Sequence, residues 1–203
     1  EVALGQSLDV RSENLPLPWG QDPAAAAQRM RDDALSVVRH KSARYSVRHP
    51  LLIGALLAGM APSSPTAKHL AEFGEEIGIA FQLRDDELGV FGSPRVTGKP
   101  AGDDLREGKR TVLLALAWGR CDDTGRKLLG SVLANTETTS NQIAEASALI
   151  EDCGARAVHE EIIATHRDAG VRALGRLRDE GVVSTASLED LVELADLLTH
   201  RDS

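Results

Sequence analysis

The sequence has few aromatic residues and no long apolar run. Phe, Trp and Tyr make up 3% of the 203 residues, and alternating stretches of β-branched or aromatic residues are nearly absent. Such residues favour strands, whereas Ala and Leu, which dominate here, favour helices, so the composition predicts an all-α fold. The longest apolar run, residues 51–61, is far shorter than the ~20 residues that a membrane-spanning helix needs.

Cysteine and positive charge are also scarce. Cys121 and Cys153 are too few for a disulfide-stapled secreted domain and are not spaced like a pair of metal ligands. The 23 Lys and Arg against 31 Asp and Glu leave a net charge of −8, which argues against a nucleic-acid-binding protein. No basic segment followed by an apolar one opens the chain, so no signal peptide is predicted. We therefore expect a soluble, cytoplasmic protein with no membrane span.

Proline, glycine and capping residues mark the ends of the predicted helices. Asp22-Pro23 and Ser64-Pro65 each resemble an N-cap followed by proline at the first helical position. Gly154 is expected to end a helix, and Ser187 to open a capping box with Asp190. The predicted helices are 1–10, 24–48, 51–60, 66–91, 111–118, 123–135, 141–152, 155–179 and 188–200. Residues 92–108 are predicted to be a loop without an apolar anchor.

Two adjacent carboxylates, Asp85 and Asp86, stand near the end of the helix predicted over 66–91. Gln82, Asp85 and Gly89 share one helix face, because they are three and seven residues apart. Adjacent carboxylates are unfavourable near the negative end of a helix dipole. Mg²⁺ would relieve this, since it takes a few carboxylate oxygens and fills its octahedron with phosphate oxygens and water. A solvated acidic turn is the alternative interpretation.

Lysines and glycines follow this acidic pair. Residues 97–111 place Lys99, Arg106, Lys109 and Arg110 among glycines, and residues 81–110 contain six acidic and six basic side chains. Lysine binds phosphate as a flexible point charge, and glycine lets the backbone approach an anion closely. Carboxylates for a metal beside lysines for phosphate predict a Mg²⁺–diphosphate site. The alternative is a surface loop held by salt bridges.

Two further helical segments have unusual surfaces. Lys41, Arg44 and Arg48 are three and seven residues apart and form a predicted basic stripe, with the small hydroxyl of Ser42 beside the lysine. A solvated helix face is the alternative for this stripe. The apolar residues 51–60 predict a buried core helix, with the lining of an apolar cavity as the second possibility.

Five short motifs occur in an order that resembles the trans-polyprenyl synthetases, which are chain-elongating isoprenyl diphosphate synthases. The motifs are Gly5-Gln6-x-x-Asp9, Lys41-Ser42-Ala43, Gly54-Ala55-x-x-Ala58-Gly59, Phe81-Gln82-x-x-Asp85-Asp86 and Gly98-Lys99-x-x-Gly102-x-Asp104-Leu105-x-Glu107-Gly108-Lys109-x-Thr111. The chain is similar to the C-terminal part of bacterial geranylgeranyl or farnesyl diphosphate synthases over nearly all of residues 1–203. The resemblance implies one polyprenyl synthetase domain with the isoprenoid synthase helical bundle, working as a homodimer.

The resemblance also implies the reaction and the residues that carry it. A prenyltransferase of this family condenses isopentenyl diphosphate with an allylic diphosphate in the presence of Mg²⁺. Asp85 and Asp86 would bind Mg²⁺ that bridges to the allylic diphosphate. Lys41, Gln82, Lys99 and Lys109 would contact the diphosphate. Ser42 stands where the family usually has threonine, near the developing carbocation, so that Lys41, Ser42 and Gln82 form the implied catalytic set. Gln6 and Asp9 match a pair on an inward-facing helix.

The sequence departs from the family pattern in two ways. The aspartate motif usually ends in a third aspartate, and here that position is Gly89, so Asp85 is expected to carry more of the metal binding. The first aspartate-rich motif should precede Gly5, and we expect it on an upstream segment, without which residues 1–203 should be inactive. The alternative is a naturally short, non-catalytic subunit that partners and regulates an active synthase. Product chain length is not predicted.

Overall fold

The computed structural model describes residues 1–93, 98, 101–133 and 138–200, and the regular elements within these ranges are all helices. This confirms the predicted all-α class. Within the same ranges, none of the helices combines the length and the apolar character that crossing a lipid bilayer requires.

Most helix positions agree with the prediction, although several ends shift by one to three residues. The α-helices are α1 (Val2–Glu13), α2 (Pro23–Val37), α3 (His49–Leu57), α4 (Pro65–Phe91), α5 (Asp103–Arg106), α6 (Val112–Arg120), α7 (Asp123–Leu133), α8 (Ser140–Asp152), α9 (Ala155–Glu180) and α10 (Thr185–Thr199), and a π-helix spans Val38–Arg48.

Two predicted N-caps are confirmed and one is wrong. The Asp22 carboxylate accepts a hydrogen bond from the Ala25 amide at 2.8 Å, and the Ser64 hydroxyl accepts one from the Ala67 amide at 3.1 Å. The helix assigned to 188–200 begins earlier, because Ser184 has extended backbone angles and caps the Ser187 amide. Ser187 is therefore inside the first turn of α10 and does not open a capping box.

The chain divides into two compact units, and the first consists of Glu1–Gly5, Val38–Arg84 and Ile162–Arg201. Its core brings together Phe73 and Ile77 of α4, Leu174 and Leu177 of α9 and Leu188 of α10. Each of these five residues is at most 3% exposed, so the core of the unit is formed by the apolar faces of the three helices. Polar bonds between α4 and α9 flank this core, among them Arg176–Glu72 and His166–Glu76, both at 2.6 Å.

The second unit contains Gln6–Val37 and Asp85–Glu161. Its core is built around Trp118 of α6, which is 1% exposed and packs with Leu113, Leu129 and Ile150. Trp19 meets the Trp118 ring edge-on, with 5.0 Å between ring centroids. Six of the nine residues of α6 are buried, and the single charged residue of the helix, Arg120, is exposed at its end.

The continuous helix predicted over 24–48 is wrong in its second half, because Val38–Arg48 is π-helical. In the first unit this π-helix lies against glycines. A Cβ on Gly78 would lie within 2.9 Å of Ala43, and one on Gly5 within 2.7 Å of the His40–Lys41 backbone. Side chains at these two positions would push the π-helix away, so glycine is what permits its close packing. This tertiary contact cannot be recognised from the spacing of apolar residues in the sequence. It accompanies a π-helix where that spacing predicts a regular α-helix.

The prediction that residues 51–60 form a buried core helix is also wrong. No residue of α3 is buried, and Ile53 and Leu57 are 57% and 83% exposed. The opposite side of α3, with Leu51 and Ala55, lines an apolar cavity of about 790 Å³ in the first unit. The second possibility stated for this segment, a cavity lining, is the one that the structure shows.

The segment predicted as an unanchored loop, 92–108, contains the short helix α5. Leu105 of α5 is 3% exposed and belongs to the core of the second unit, and a Cβ on Gly102 would overlap the Ile143 side chain. The prediction that this segment lacks an apolar anchor is therefore wrong for its second half. Residues 94–97, 99 and 100 lie outside the described part.

Candidate functional site

The end of α4 carries the predicted acidic pair, and its two members differ in environment. Asp85 is exposed, whereas Asp86 is 7% exposed. The next carboxylate, Glu87, is 2% exposed and accepts a hydrogen bond from the Arg156 guanidinium at 2.7 Å. Arg156 also lies over the Phe91 ring, 4.5 Å from its centroid. These contacts hold the last turns of α4 in the second unit and leave the Asp85 carboxylate facing solvent.

A second cluster of charges lies at the end of α5. The Lys109 ammonium is 2.5 Å from Asp104 and 3.2 Å from Glu107. Burial raises the pKa of the Asp104 carboxyl, an effect that the hydrogen bond from Lys109 opposes. Burial lowers the pKa of the Lys109 ammonium, but the bonds to Asp104 and Glu107 outweigh it, and the pKa lies above its ordinary value. Lys109 is therefore a fixed positive charge throughout the physiological pH range.

Gly89 connects the acidic end of α4 with this cluster. A Cβ built on Gly89 would lie within 2.9 Å of all three atoms of the Asp104 carboxylate group. Asp85 repels the same carboxylate strongly enough to contribute to the raised pKa of Asp104. Within the second unit, the structure thus brings Asp85, Gly89, Asp104 and Lys109 into one neighbourhood, although they come from two different motifs.

The residues predicted from the Lys41 motif lie in the first unit. Lys41, half-buried, and Ser42, 8% exposed, are in the π-helix, and Gln82 is half-buried on α4. The other members of the predicted basic stripe bind a carboxylate: Arg44 and Arg48 lie 3.2 and 3.5 Å from Glu75. These two arginines therefore hold the π-helix against α4.

The remaining predicted positions are Lys99, Gln6 and Asp9. Lys99 lies outside the described residues. Gln6 is exposed and Asp9 is half-buried on α1, whose one buried residue is Gly5. An inward-facing position is thus wrong for the Gln6 side chain.

The carboxylates fit a magnesium ion that is shared with a ligand. Carboxylate oxygens are the hard donors that Mg²⁺ prefers, and the ion usually takes one or two from the protein. Among the described residues, no group of three or more His, Cys, Asp or Glu side chains could hold a metal by itself. Asp85 and Asp86 therefore suit Mg²⁺ only if phosphate oxygens and water complete its octahedron.

The sequence reasoning quoted Asp104 within a motif but gave it no role, and it missed the role of Gly89. One signal was present: glycine inside a helix costs about 1 kcal/mol relative to alanine, so an interior glycine indicates a close neighbour. The sequence could not identify that neighbour, because 14 residues separate the two positions along the chain.

Comparison with known proteins identifies relatives of the chain. The family model described as "Polyprenyl synthetase" matches residues 1–150. Geranylfarnesyl diphosphate synthase of Aeropyrum pernix is 35% identical over 155 residues, which cover 76% of this chain and 43% of that protein. (2E,6E)-farnesyl diphosphate synthase of Mycobacterium bovis is 34% identical over 154 residues, covering 74% and 41%.

Solved structures are similar over the full chain. Geranylgeranyl pyrophosphate synthase from Corynebacterium glutamicum, complexed with isoprenyl diphosphate and magnesium, is 37% identical with a TM-score of 0.83, covering 99% of this chain and 52% of that one. Polyprenyl synthase from Caulobacter crescentus, complexed with calcium and isoprenyl diphosphate, is 27% identical with a TM-score of 0.80, covering 99% and 56%.

The chain thus spans about half the length of the solved relatives and somewhat less of the curated ones. The all-α fold is that of the isoprenyl synthases, as the resemblance implied. The family model covers about three quarters of the chain, including both motifs that meet at Gly89. This chain belongs to the polyprenyl synthetase family.

Proposed function

We propose that the protein is a prenyltransferase that condenses isopentenyl diphosphate with an allylic diphosphate to give a short-chain prenyl diphosphate, such as geranylgeranyl or farnesyl diphosphate. The observation that carries this proposal is the neighbourhood of Asp85 and the Asp104–Lys109 pair in the second unit. An exposed carboxylate and a fixed ammonium that both interact with Asp104 suit a metal-bound diphosphate, because each group offers the charge that one component needs. The names of the relatives agree with this chemistry.

The chemical requirement is the departure of diphosphate from an allylic carbon. The C–O bond breaks, and the electron pair leaves with the diphosphate. The double bond of isopentenyl diphosphate then attacks the allylic cation, and a proton is lost. Mg²⁺, when bound, neutralises charge on the leaving diphosphate. Preorganised charges aimed at the leaving group contribute most to such a step.

Each predicted residue has a role in this proposal. Asp85 and Asp86 would hold Mg²⁺, with the exposed Asp85 as the more accessible ligand. Lys41, Lys99 and Lys109 would offer N–H donors to the diphosphate oxygens, and the Gln82 amide would donate a further hydrogen bond. Ser42 presents a small, buried hydroxyl beside Lys41, where a small side chain leaves room for the allylic carbons.

In this proposal the enzyme is a homodimer in the cytoplasm and does not bind nucleic acid. The non-catalytic subunit considered from the sequence is not favoured, since the curated relatives are named as synthases. In contrast to these, a regulatory subunit would not need a fixed ammonium beside an exposed carboxylate.

The test is ligand-dependent thermal stabilisation of the complete natural chain and of its Asp85→Ala variant. A ligand that binds only the folded state at 100 times its Kd adds about 2.7 kcal/mol. Mg²⁺ with inorganic diphosphate should therefore raise the melting temperature of the wild type, and Asp85→Ala should abolish the rise. The control is Glu193→Ala, which removes an exposed carboxylate from α10 and should keep the rise. Full stabilisation of Asp85→Ala would refute the metal assignment.

Activity gives the second readout. Incorporation of labelled isopentenyl diphosphate into an allylic primer should fall by about 10²–10³ in Asp85→Ala, the usual cost of removing one preorganised electrostatic contributor. The far-ultraviolet circular dichroism of the variant should remain that of the wild type, because Asp85 is exposed.

A further inference from the structure

The Asp104 carboxylate occupies the space that a side chain at position 89 would need. All three of its carboxylate atoms lie within 2.9 Å of where a Gly89 Cβ would be, and Asp104 is 7% exposed. A buried carboxylate needs a partner, and the Lys109 ammonium supplies it at 2.5 Å. Gly89 is thus not an empty position on the α4 face, because the carboxylate of another segment fills it.

We propose that Gly89 is a socket for Asp104, and that Asp104 is a positioning residue that holds the Lys109 ammonium for a diphosphate. The glycine at the end of the aspartate motif is then not a lost metal ligand. In this chain the space beside that position of α4 holds a carboxylate from α5, which restrains a lysine. The role of the diphosphate rests on the function proposed above, whereas the socket is a property of the folded chain alone.

The geometry explains how the restraint works. A free lysine side chain rotates about several single bonds, and it loses much conformational entropy when it binds a ligand. Lys109 is already held by Asp104 and by Glu107, so that this entropy is lost on folding. An ammonium has three N–H donors, and two carboxylates leave one donor for a phosphate oxygen. The side-chain exposure of Lys109, 27%, is sufficient for an incoming anion to reach it.

The socket also predicts that any side chain at position 89 of this chain would displace the Asp104 carboxylate. The burial of Leu105 fixes the backbone beside Asp104, so the carboxylate could leave the space at position 89 only by rotating away from Lys109. Even alanine at position 89 would therefore push the carboxylate out of its site and loosen Lys109.

The first experiment tests the socket without any ligand. Thermal unfolding is measured for the wild-type chain and for Gly89→Ala, Asp104→Ala and the double variant. Alanine is the better helix former, so Gly89→Ala should raise the melting temperature wherever no clash occurs. We expect it to lower the melting temperature in the wild type and to raise it in the Asp104→Ala background. A change of the same sign in both backgrounds would overturn the socket.

The second experiment tests the positioning of Lys109, with inorganic diphosphate and Mg²⁺ as the probe in titration calorimetry. Asp104→Asn keeps the shape of the side chain and removes its charge, and it should weaken diphosphate binding about tenfold, as expected for one charged hydrogen bond. The matched control is Asp103→Asn, which makes the same charge change one residue away on α5 and should alter the Kd less than about twofold.

A double-variant cycle separates positioning from a general structural effect. In a Lys109→Gln background, Asp104→Asn should cause no further loss of diphosphate affinity, because the residue through which it acts is gone. Additive losses, or tighter diphosphate binding by Asp104→Asn, would overturn the positioning role. If the wild type binds no diphosphate with Mg²⁺, the proposed function fails and the positioning role with it, while the unfolding cycle still decides the socket.

Discussion

At the scale of single residues, two buried carboxylates each form an ion pair with a basic side chain. Glu87 is 2% exposed and is bound by Arg156, while Asp104 is 7% exposed and is bound by Lys109. Removing one partner of a buried pair leaves an uncompensated charge, whereas an exposed pair contributes little. The burial of each carboxylate therefore decides which ion pairs matter for stability.

This difference gives a prediction for two arginines. Arg156→Met should lower the free energy of unfolding by about 3 kcal/mol, because it leaves Glu87 buried and without this partner. Arg176→Met, which breaks an ion pair with the half-exposed Glu72, should cost less than about 1 kcal/mol. Urea unfolding of the two variants measures both values. Equal losses would contradict the burial argument.

The two cysteines should differ in reactivity. Cys121 is 7% exposed, and burial raises the pKa of its thiol to about 11. The thiolate is the reactive form, so Cys121 should resist alkylation between pH 7 and 9 and react faster only as the pH approaches 11. Cys153 is half-buried and should be alkylated first. Mass spectrometry after iodoacetamide treatment locates the label, and denaturant should make both thiols reactive.

At the scale of elements, the π-helix depends on glycines of its neighbours. A Cβ on Gly78 would meet backbone atoms of Ala43, which cannot rotate away as a side chain can. We expect Gly78→Ala to destabilise the protein by about 2–3 kcal/mol through overpacking. Since Lys41 and Ser42 are on this π-helix, the same variant should also reduce prenyl transfer more than its loss of stability explains.

The matched control lies on α9. Gly175 has no atom within 4 Å of a built Cβ, so Gly175→Ala should raise the free energy of unfolding by up to about 1 kcal/mol. Thermal unfolding of Gly78→Ala and Gly175→Ala should therefore shift in opposite directions. A loss of stability in both variants would indicate that helix propensity, and not the contact with the π-helix, governs these positions.

The short helix α5 is anchored by one side chain. Leu105 is 3% exposed in the core of the second unit, and Leu105→Ala should cost about 2–4 kcal/mol. It should also weaken binding of Mg²⁺–diphosphate, because Asp104 is the adjacent residue and holds Lys109. Binding unchanged from the wild type in this variant would show that α5 does not position the lysine.

At the scale of the whole molecule, charge is the property that the sequence decides directly. With 23 basic against 31 acidic residues, the chain should bind an anion exchanger at pH 8 and pass through heparin at 0.15 M salt. The Lys109 neighbourhood is too small to reverse this, because Asp104 and Glu107 bind the ammonium. Retention on heparin would contradict the expectation that nucleic acid is not a partner.

The sequence by itself determined the helical class, most helix positions, the family and the identity of the charged motifs. These depend on local quantities: composition, capping residues such as Asp22 and Ser64, and the order of short motifs. Asp85 and Lys109 were predicted from spacing for the same reason, since each stands within a motif of a few residues.

The tertiary structure decided what depends on contacts between distant segments. The π-helix, the exposed face of α3 and the burial of Leu105 were predicted wrongly, because helix periodicity does not tell which neighbour packs against a given face. The pairing of Gly89 with Asp104 belongs to the same class. A glycine and a carboxylate 15 residues apart carry no mutual signal in the sequence. They meet because α5 folds against the end of α4, so that the Asp104 carboxylate fills the space beside Gly89.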